Sequence, residues 1–343
     1  MTAMALVGRA LVLGVRGSSM DDARTRADVD EMRRVGVKGV VLFDRELSGD
    51  GGDRNVIDPA QVARLVSDLK HELGEGAFVA IDQEGGAVQR LRAERGFVGC
   101  VSAAEMGEMN EEEVRGIARA QGAQLRALGI DWNFAPVADL ADCSSPGLGD
   151  RGRSFGVDVW GVSSRGGWWI EEHEREGVRC CVKHYPGLGR AGVDTHEGMA
   201  DVTGTDHANE RAVFGALTHA HPGVGVMVAH VMDLGVDPEL PASMSGAHVR
   251  GKLRGDLGFD GVVVTDSVDM GAITARWDPG DACVLALRAG CDLVLDGVNA
   301  PGGARGCPAG LMVDAAMRAL RDGVLDGSDL EGSAARVEGF FGG

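Results

Sequence analysis

The chain has 343 residues and a formal net charge of −18 at pH 7, which argues against a nucleic-acid partner, since that would need a basic face. Its length allows one large α/β barrel or two smaller domains, either with a substantial core. No run approaches the roughly 18 uninterrupted apolar residues of a membrane helix, and the 54 glycines sit among ordered-looking apolar segments, where they read as turns.

The first fifteen residues are apolar but lack a basic leading region, and Arg9 interrupts them. They read as a first core strand rather than an export signal. From there, short apolar, β-branched runs recur at 10–15, 39–43, 77–81, 130–137, 178–182, 224–229, 261–265 and 291–295. Their hydrophobicity is continuous rather than alternating, as in parallel strands covered on both faces. Segments of helical spacing and charge lie between them, at 21–34, 59–73, 111–128, 166–176, 208–221, 247–257, 279–289 and 309–325. Asp58-Pro59 and Asp278-Pro279 mark two helix starts, and Gly129 follows a helix end. Strand and helix alternating eight times predict an α/β fold, a single (β/α)8 TIM-type barrel over residues 1–343. Gly14-Val15-Arg16-Gly17 lacks the dinucleotide fingerprint of the competing doubly wound sheet.

The seven cysteines are an odd number without zinc-type spacing, and Cys180-Cys181 share a strand-like run. Reduced thiols in a cytoplasmic protein fit this better than a disulfide framework.

Barrel sites form where the strands end. The third predicted strand ends in Asp82-Gln83-Glu84-Gly85-Gly86, and the fourth leads to Asp139. The fifth runs into Lys183-His184-Tyr185-Pro186-Gly187-Leu188-Gly189, with Asp194-Thr195-His196 close behind. His230 ends the sixth strand and Asp266 the seventh. Any one of these could be a turn cap or a core imidazole; it is their coincidence on one rim that points to catalysis. Two chemistries suit such a rim. An aspartate nucleophile with a separate proton donor cleaves a glycosidic bond through a covalent intermediate. Alternatively Asp194, His196, His230 and Asp266 bind a divalent metal that activates water. Lys183 beside the cluster would repel a cation, which ranks the metal second.

These motifs resemble the β-N-acetylglucosaminidase branch of glycoside hydrolase family 3. The resemblance rests on Lys183 through His196, the stretches 81–90 and 129–139, Arg153-Ser154-Phe155-Gly156, the stretch 226–231 and the stretch 257–270, all in the family's order. It implies Asp266 as the nucleophile, His196 as the acid/base and Asp194 as the group that orients His196. It also implies that Asp82, Arg90, Arg153, Lys183 and His184 hold the sugar. No metal or organic cofactor is implied. The implied activity is that of an exo-acting retaining enzyme in the cytoplasm. It would work as a monomer on small glycans, such as the muropeptides of peptidoglycan recycling, with no membrane or nucleic-acid partner. A phosphorylase of the same family, a broader β-glycosidase and a non-catalytic sugar-binding protein are the alternatives. Ser267 stands where the branch often carries a second aspartate, and Ala87 where it often carries arginine.

Overall fold

The computed structural model describes residues 2–47, 51–189, 198–204, 208–299 and 306–342. Among the described residues eight parallel strands form one sheet: β1 (Leu11–Gly14), β2 (Gly39–Leu42), β3 (Phe78–Ile81), β4 (Trp132–Asn133), β5 (Arg179–Tyr185), β6 (Gly225–Val228), β7 (Val263–Thr265) and β8 (Val294–Asp296). Each pairs with its sequence neighbour, β8 pairs with β1, and a bridge from Val264 to Leu293 closes the ring between β7 and β8. The single barrel read from the sequence is the architecture observed. β4 is far shorter than the 130–137 run because Pro136 has no N–H to give a neighbour.

The helices between the strands start and stop on the signals in the sequence. Asp58 and Asp278 cap helices Pro59–Leu73 and Pro279–Ala289, each accepting a backbone N–H with proline at the helix start. Gly36 ends helix Ala23–Val35 in the left-handed region, at φ 87°. The sixth connection, Ala247–Asp256, is wound as a π-helix.

Two helices stand out among the elements that depart from the sequence reading. Residues Ala3–Arg9 form a helix, not the start of a strand, with the Thr2 side chain accepting from the Ala5 N–H. A further helix, Gly327–Gly342, follows the eight predicted ones and closes the floor of the barrel. Its Phe341 ring stacks on Phe78 at 4.1 Å, and Phe340 meets Trp132 edge-on at 5.2 Å. Phe78, Trp132 and Arg179 are the first residues of their strands, and the Arg179 guanidinium lies over the Phe340 ring. The N-terminal end of the barrel is therefore sealed by aromatic rings, which leaves the opposite end for a site. All seven cysteines are unpaired; Cys100, Cys180, Cys181, Cys283 and Cys291 are buried and Cys143 is exposed. No described helix is long and apolar enough to cross a membrane.

Candidate active site

At the C-terminal end of the strands lies a cavity of about 380 Å³. Asp82, Arg90, Arg153, Lys183, His184 and Asp266 all line it, so these predicted residues, spread from β3 to β7, do come together. Asp194 and His196 lie outside the described residues. A hollow of about 510 Å³ at the sealed end, lined by Asp131, Arg179 and Phe341 among others, sits where barrel strands begin and active sites do not form.

The chain reverses just after β3. Residues 83–85 and 88–89 pair antiparallel around Gly85 and Gly86, at φ 103° and 55°. A Cβ on Gly85 would lie 2.2 Å from the Val101 carbonyl oxygen, so both conformation and space call for glycine. The reversal brings Arg90 back over β3. Its Nη2 lies 3.3 Å from Asp82 Oδ2, and its guanidinium faces the Phe43 ring at 5.1 Å. Gln83 fixes this turn by accepting the backbone N–H groups of Arg90 and Leu91, each at 3.0 Å.

β5 delivers Lys183 and His184. Lys183 Nζ lies 2.7 Å from both Asp82 Oδ1 and Glu84 Oε1. Arg153 grips Glu84 with two parallel bonds, Nε to Oε2 at 2.8 Å and Nη2 to Oε1 at 2.9 Å. Burial pushes the Glu84 carboxyl up, but the charges of Arg153 and Lys183 outweigh it and hold the group well below the ordinary carboxylate range. Asp82 goes the same way, burial being overcome by Lys183 and Arg90. Burial likewise works against the charge on Lys183, and Asp82 and Glu84 more than offset it. These charges are therefore compensated in place, a wall of fixed dipoles and ions suited to a neutral, polyhydroxylated ligand.

His184 is set by Asp139. That carboxylate accepts from His184 Nδ1 at 2.7 Å, from the His184 backbone N–H at 3.0 Å and from the Leu188 N–H at 2.6 Å. A carboxylate only accepts, so Nδ1 carries the hydrogen; Nε2, 3.3 Å from Arg153 Nη2, presents its lone pair. The sequence places Glu84 and Asp139 on the rim but assigns them no role in the site. Both lie in the stretches that carry the motifs, but their roles depend on partners far along the chain.

Asp266 follows β7, with its N–H donating to Val228 O at 2.8 Å, which extends the β6–β7 ladder to the nucleophile candidate. Ser267 N–H donates to Asp266 Oδ1 at 2.8 Å. His230 does not reach the cavity as a ligand would. It is fully buried, with Nε2 donating to Ser267 O at 2.9 Å and Nδ1 2.7 Å from Ser243 Oγ. Burial pushes its pKa down, so it serves as a neutral prop under the Asp266 loop. That removes one donor from the metal alternative.

Residues 12–338 match the family model described as Glycosyl hydrolase family 3 N terminal domain. The chain is 35% identical over 271 residues to a beta-hexosaminidase of Thioalkalivibrio sulfidiphilus, covering 75% of this chain and 72% of that protein. It is 34% identical to Beta-hexosaminidase LpqI of Mycobacterium tuberculosis, covering 95% of this chain and 79% of that one. A solved β-N-acetylhexosaminidase from Beutenbergia cavernae superposes with a TM-score of 0.85 at 31% identity, over 100% of this chain and 99% of that one. A family 3 β-N-acetylglucosaminidase from a Paenibacillus species superposes with a TM-score of 0.86 at 32% identity; it contains 99% of this chain, which spans 62% of its length. The chain belongs to glycoside hydrolase family 3, in its β-hexosaminidase branch, and is a glycosidase acting on O-glycosyl bonds.

Proposed function

We propose that this protein is an exo-acting retaining β-N-acetylglucosaminidase that removes terminal N-acetylglucosamine from small glycans such as muropeptides. The observation that carries the reading is the placement of Asp266 in one cavity with the Asp82, Arg90, Arg153, Lys183 and His184 cluster. The carboxylates and cations of that cluster offer acceptors and donors to sugar hydroxyls and to an acetamido group. The Asp266 carboxylate attacks the anomeric carbon as the glycosidic C–O bond breaks, and His196 passes its proton to the leaving oxygen. Neutral His196 then takes a proton from water, whose oxygen displaces Asp266 and releases the sugar with its configuration retained. Asp194, two residues from His196, favours the imidazolium that the first step consumes. The unpaired thiols support a reducing compartment.

The test is release of 4-nitrophenol from its β-N-acetylglucosaminide and its β-glucoside. Selective turnover of the first that Asp266→Ala lowers at least about a thousandfold is the expected result; equal activity in the variant removes Asp266 from the mechanism. For His196→Ala the substrate must be a natural glycoside with a poor leaving group, because an aryl glycoside needs little acid help. Undiminished hydrolysis there would reject the imidazole as acid. Muropeptide fragments compared with chitin oligosaccharides in the same assay decide the substrate class.

A further inference from the structure

The rim between β7 and β8 holds an arrangement that the hydrolysis scheme leaves unused. Val298 sits at φ 51°, a left-handed conformation that a β-branched residue avoids. Such a conformation persists where the surroundings over-determine it, and here they do. The Gly297 N–H donates to Ser267 Oγ at 2.8 Å, Val298 N–H to Asp296 Oδ1 at 2.9 Å and Asn299 N–H to Asp269 Oδ2 at 2.7 Å. The buried Arg54 donates to the carbonyls of Gly297 and Val298, both at 3.0 Å. Asn299 carries the restraint to the loop after β2, accepting from Leu47 N–H at 2.8 Å and donating to Arg45 O at 3.0 Å. A side chain thus holds each N–H of the turn, two of them from the loop after β7 and one from Asp296 just before it.

The other end of this lattice is Ser267. Its hydroxyl accepts from Gly297 N–H and donates to Asp269 Oδ1 at 2.6 Å. Its carbonyl accepts from His230 at 2.9 Å, and its N–H donates to Asp266 Oδ1 at 2.8 Å. Only a side chain that both accepts and donates can stand between a backbone N–H and a carboxylate. An ionised aspartate at 267 could accept from Gly297 but would repel Asp269.

We propose that Ser267, locked by the strained turn Gly297–Val298–Asn299, is a positioning residue that holds the Asp266 carboxylate in line with the anomeric carbon. The inference rests on the reading of Asp266 as the nucleophile. Attack needs the carboxylate oxygen about 3–3.5 Å from carbon along the bond-forming direction, and small misplacements are costly. Pinning Oδ1 through the Ser267 N–H fixes the plane of the carboxylate, and so the approach of its other oxygen. The strained turn fixes the Ser267 hydroxyl, and through it the peptide that does the pinning.

The experiment measures the rate at which a 5-fluoro-β-N-acetylglucosaminyl fluoride labels the protein, by intact mass, alongside steady-state cleavage of the 4-nitrophenyl N-acetylglucosaminide. Ser267→Ala should slow labelling and kcat by roughly ten- to a hundredfold, with KM within about twofold and the protein still folded at the assay temperature. Ser267→Thr keeps the hydroxyl and should keep the rate. Ser267→Asp should be slow, and the exchange variant S267D/D269S, which restores a donor between the two positions, should recover most of that loss. Wild-type labelling rates in Ser267→Ala while Asp266→Ala takes no label overturn the positioning role and leave the nucleophile standing. An exchange variant no faster than Ser267→Asp also overturns it, and serves as the deciding measurement if Ser267→Ala does not fold. An unlabelled wild type, or a labelled Asp266→Ala, overturns the nucleophile reading and this inference with it.

Discussion

The two ends of the barrel are filled by opposite means. The floor is closed by rings: Phe340 and Phe341 against Phe78 and Trp132, contacts that exclude water and need no partner atom by atom. The mouth is lined by ions: Lys183, Arg153, Asp82 and Glu84 in direct contact, each of which would be costly if left alone. Apolar packing tolerates local change at the price of a cavity, whereas a buried ion network fails when one member is removed. The same strands therefore carry a stabilising end and a chemical end, and substitutions at the two should leave different signatures.

Glu84→Gln should have the largest combined effect on stability and activity, because it strips the counter-charge from Lys183 and Arg153 together. Stability should fall by about 3 kcal/mol and kcat/KM by about a hundredfold, read by denaturant unfolding and glycosidase assay. The variant also has a pH signature. The folded-state pKa of Glu84 is depressed, so its contribution is present above the ordinary value of about 4.3 and is lost as pH falls below that toward the folded value. The acid limb of the unfolding profile below about pH 4 should be shallower in Glu84→Gln than in the wild type. Equal limbs would mean that the ion cluster does not govern acid stability.

At the other end, Phe340→Ala should cost about 3–5 kcal/mol of stability with kcat/KM changed by less than about twofold. Lost activity at unchanged Tm would break the separation of the two ends. The smallest effect belongs to His173, buried between helix Val159–Arg175 and β4 and stacked on Trp169 at 4.7 Å. Its Nδ1 donates to Trp169 O at 2.9 Å, and Nε2 lies 3.3 Å from Asn133 Nδ2. Burial lowers its pKa to about 4, so the neutral ring belongs to the fold and the charged ring to the unfolded chain. Its contribution is present above about pH 6.5 and drains away as pH falls to about 4, by at most about 1.4 kcal/mol per unit. His173→Gln should flatten that part of a stability–pH curve without touching the acid limb that Glu84 controls.

Much of the mouth was legible because its chemistry is written locally. The β-branched runs marked the strands, and the residues immediately after them proved to line the cavity, as Asp82 and Asp266 do. Glu84 was visible as part of a motif, but its partners Lys183 and Arg153 lie 99 and 69 residues away in sequence; that separation leaves no periodic trace. The floor was hidden for a different reason. Helix Gly327–Gly342 contains Gly332 and Gly339, poor helix formers, so its winding depends on Phe340 finding the barrel. The segment Ala3–Arg9 misled in the opposite sense, since its leucine and valine suit either structure and its Thr2 cap is a single hydroxyl.

The position of the floor in the chain bears on synthesis. Phe340 follows every strand of the barrel, so a nascent chain can assemble all eight strands around an unfilled lower end. With translation at roughly 5–20 residues per second, that end stays open to water for a few seconds after β8 is made. During this interval Trp132 and Phe78 are the exposed surface that a chaperone, or a neighbouring nascent chain, would find first.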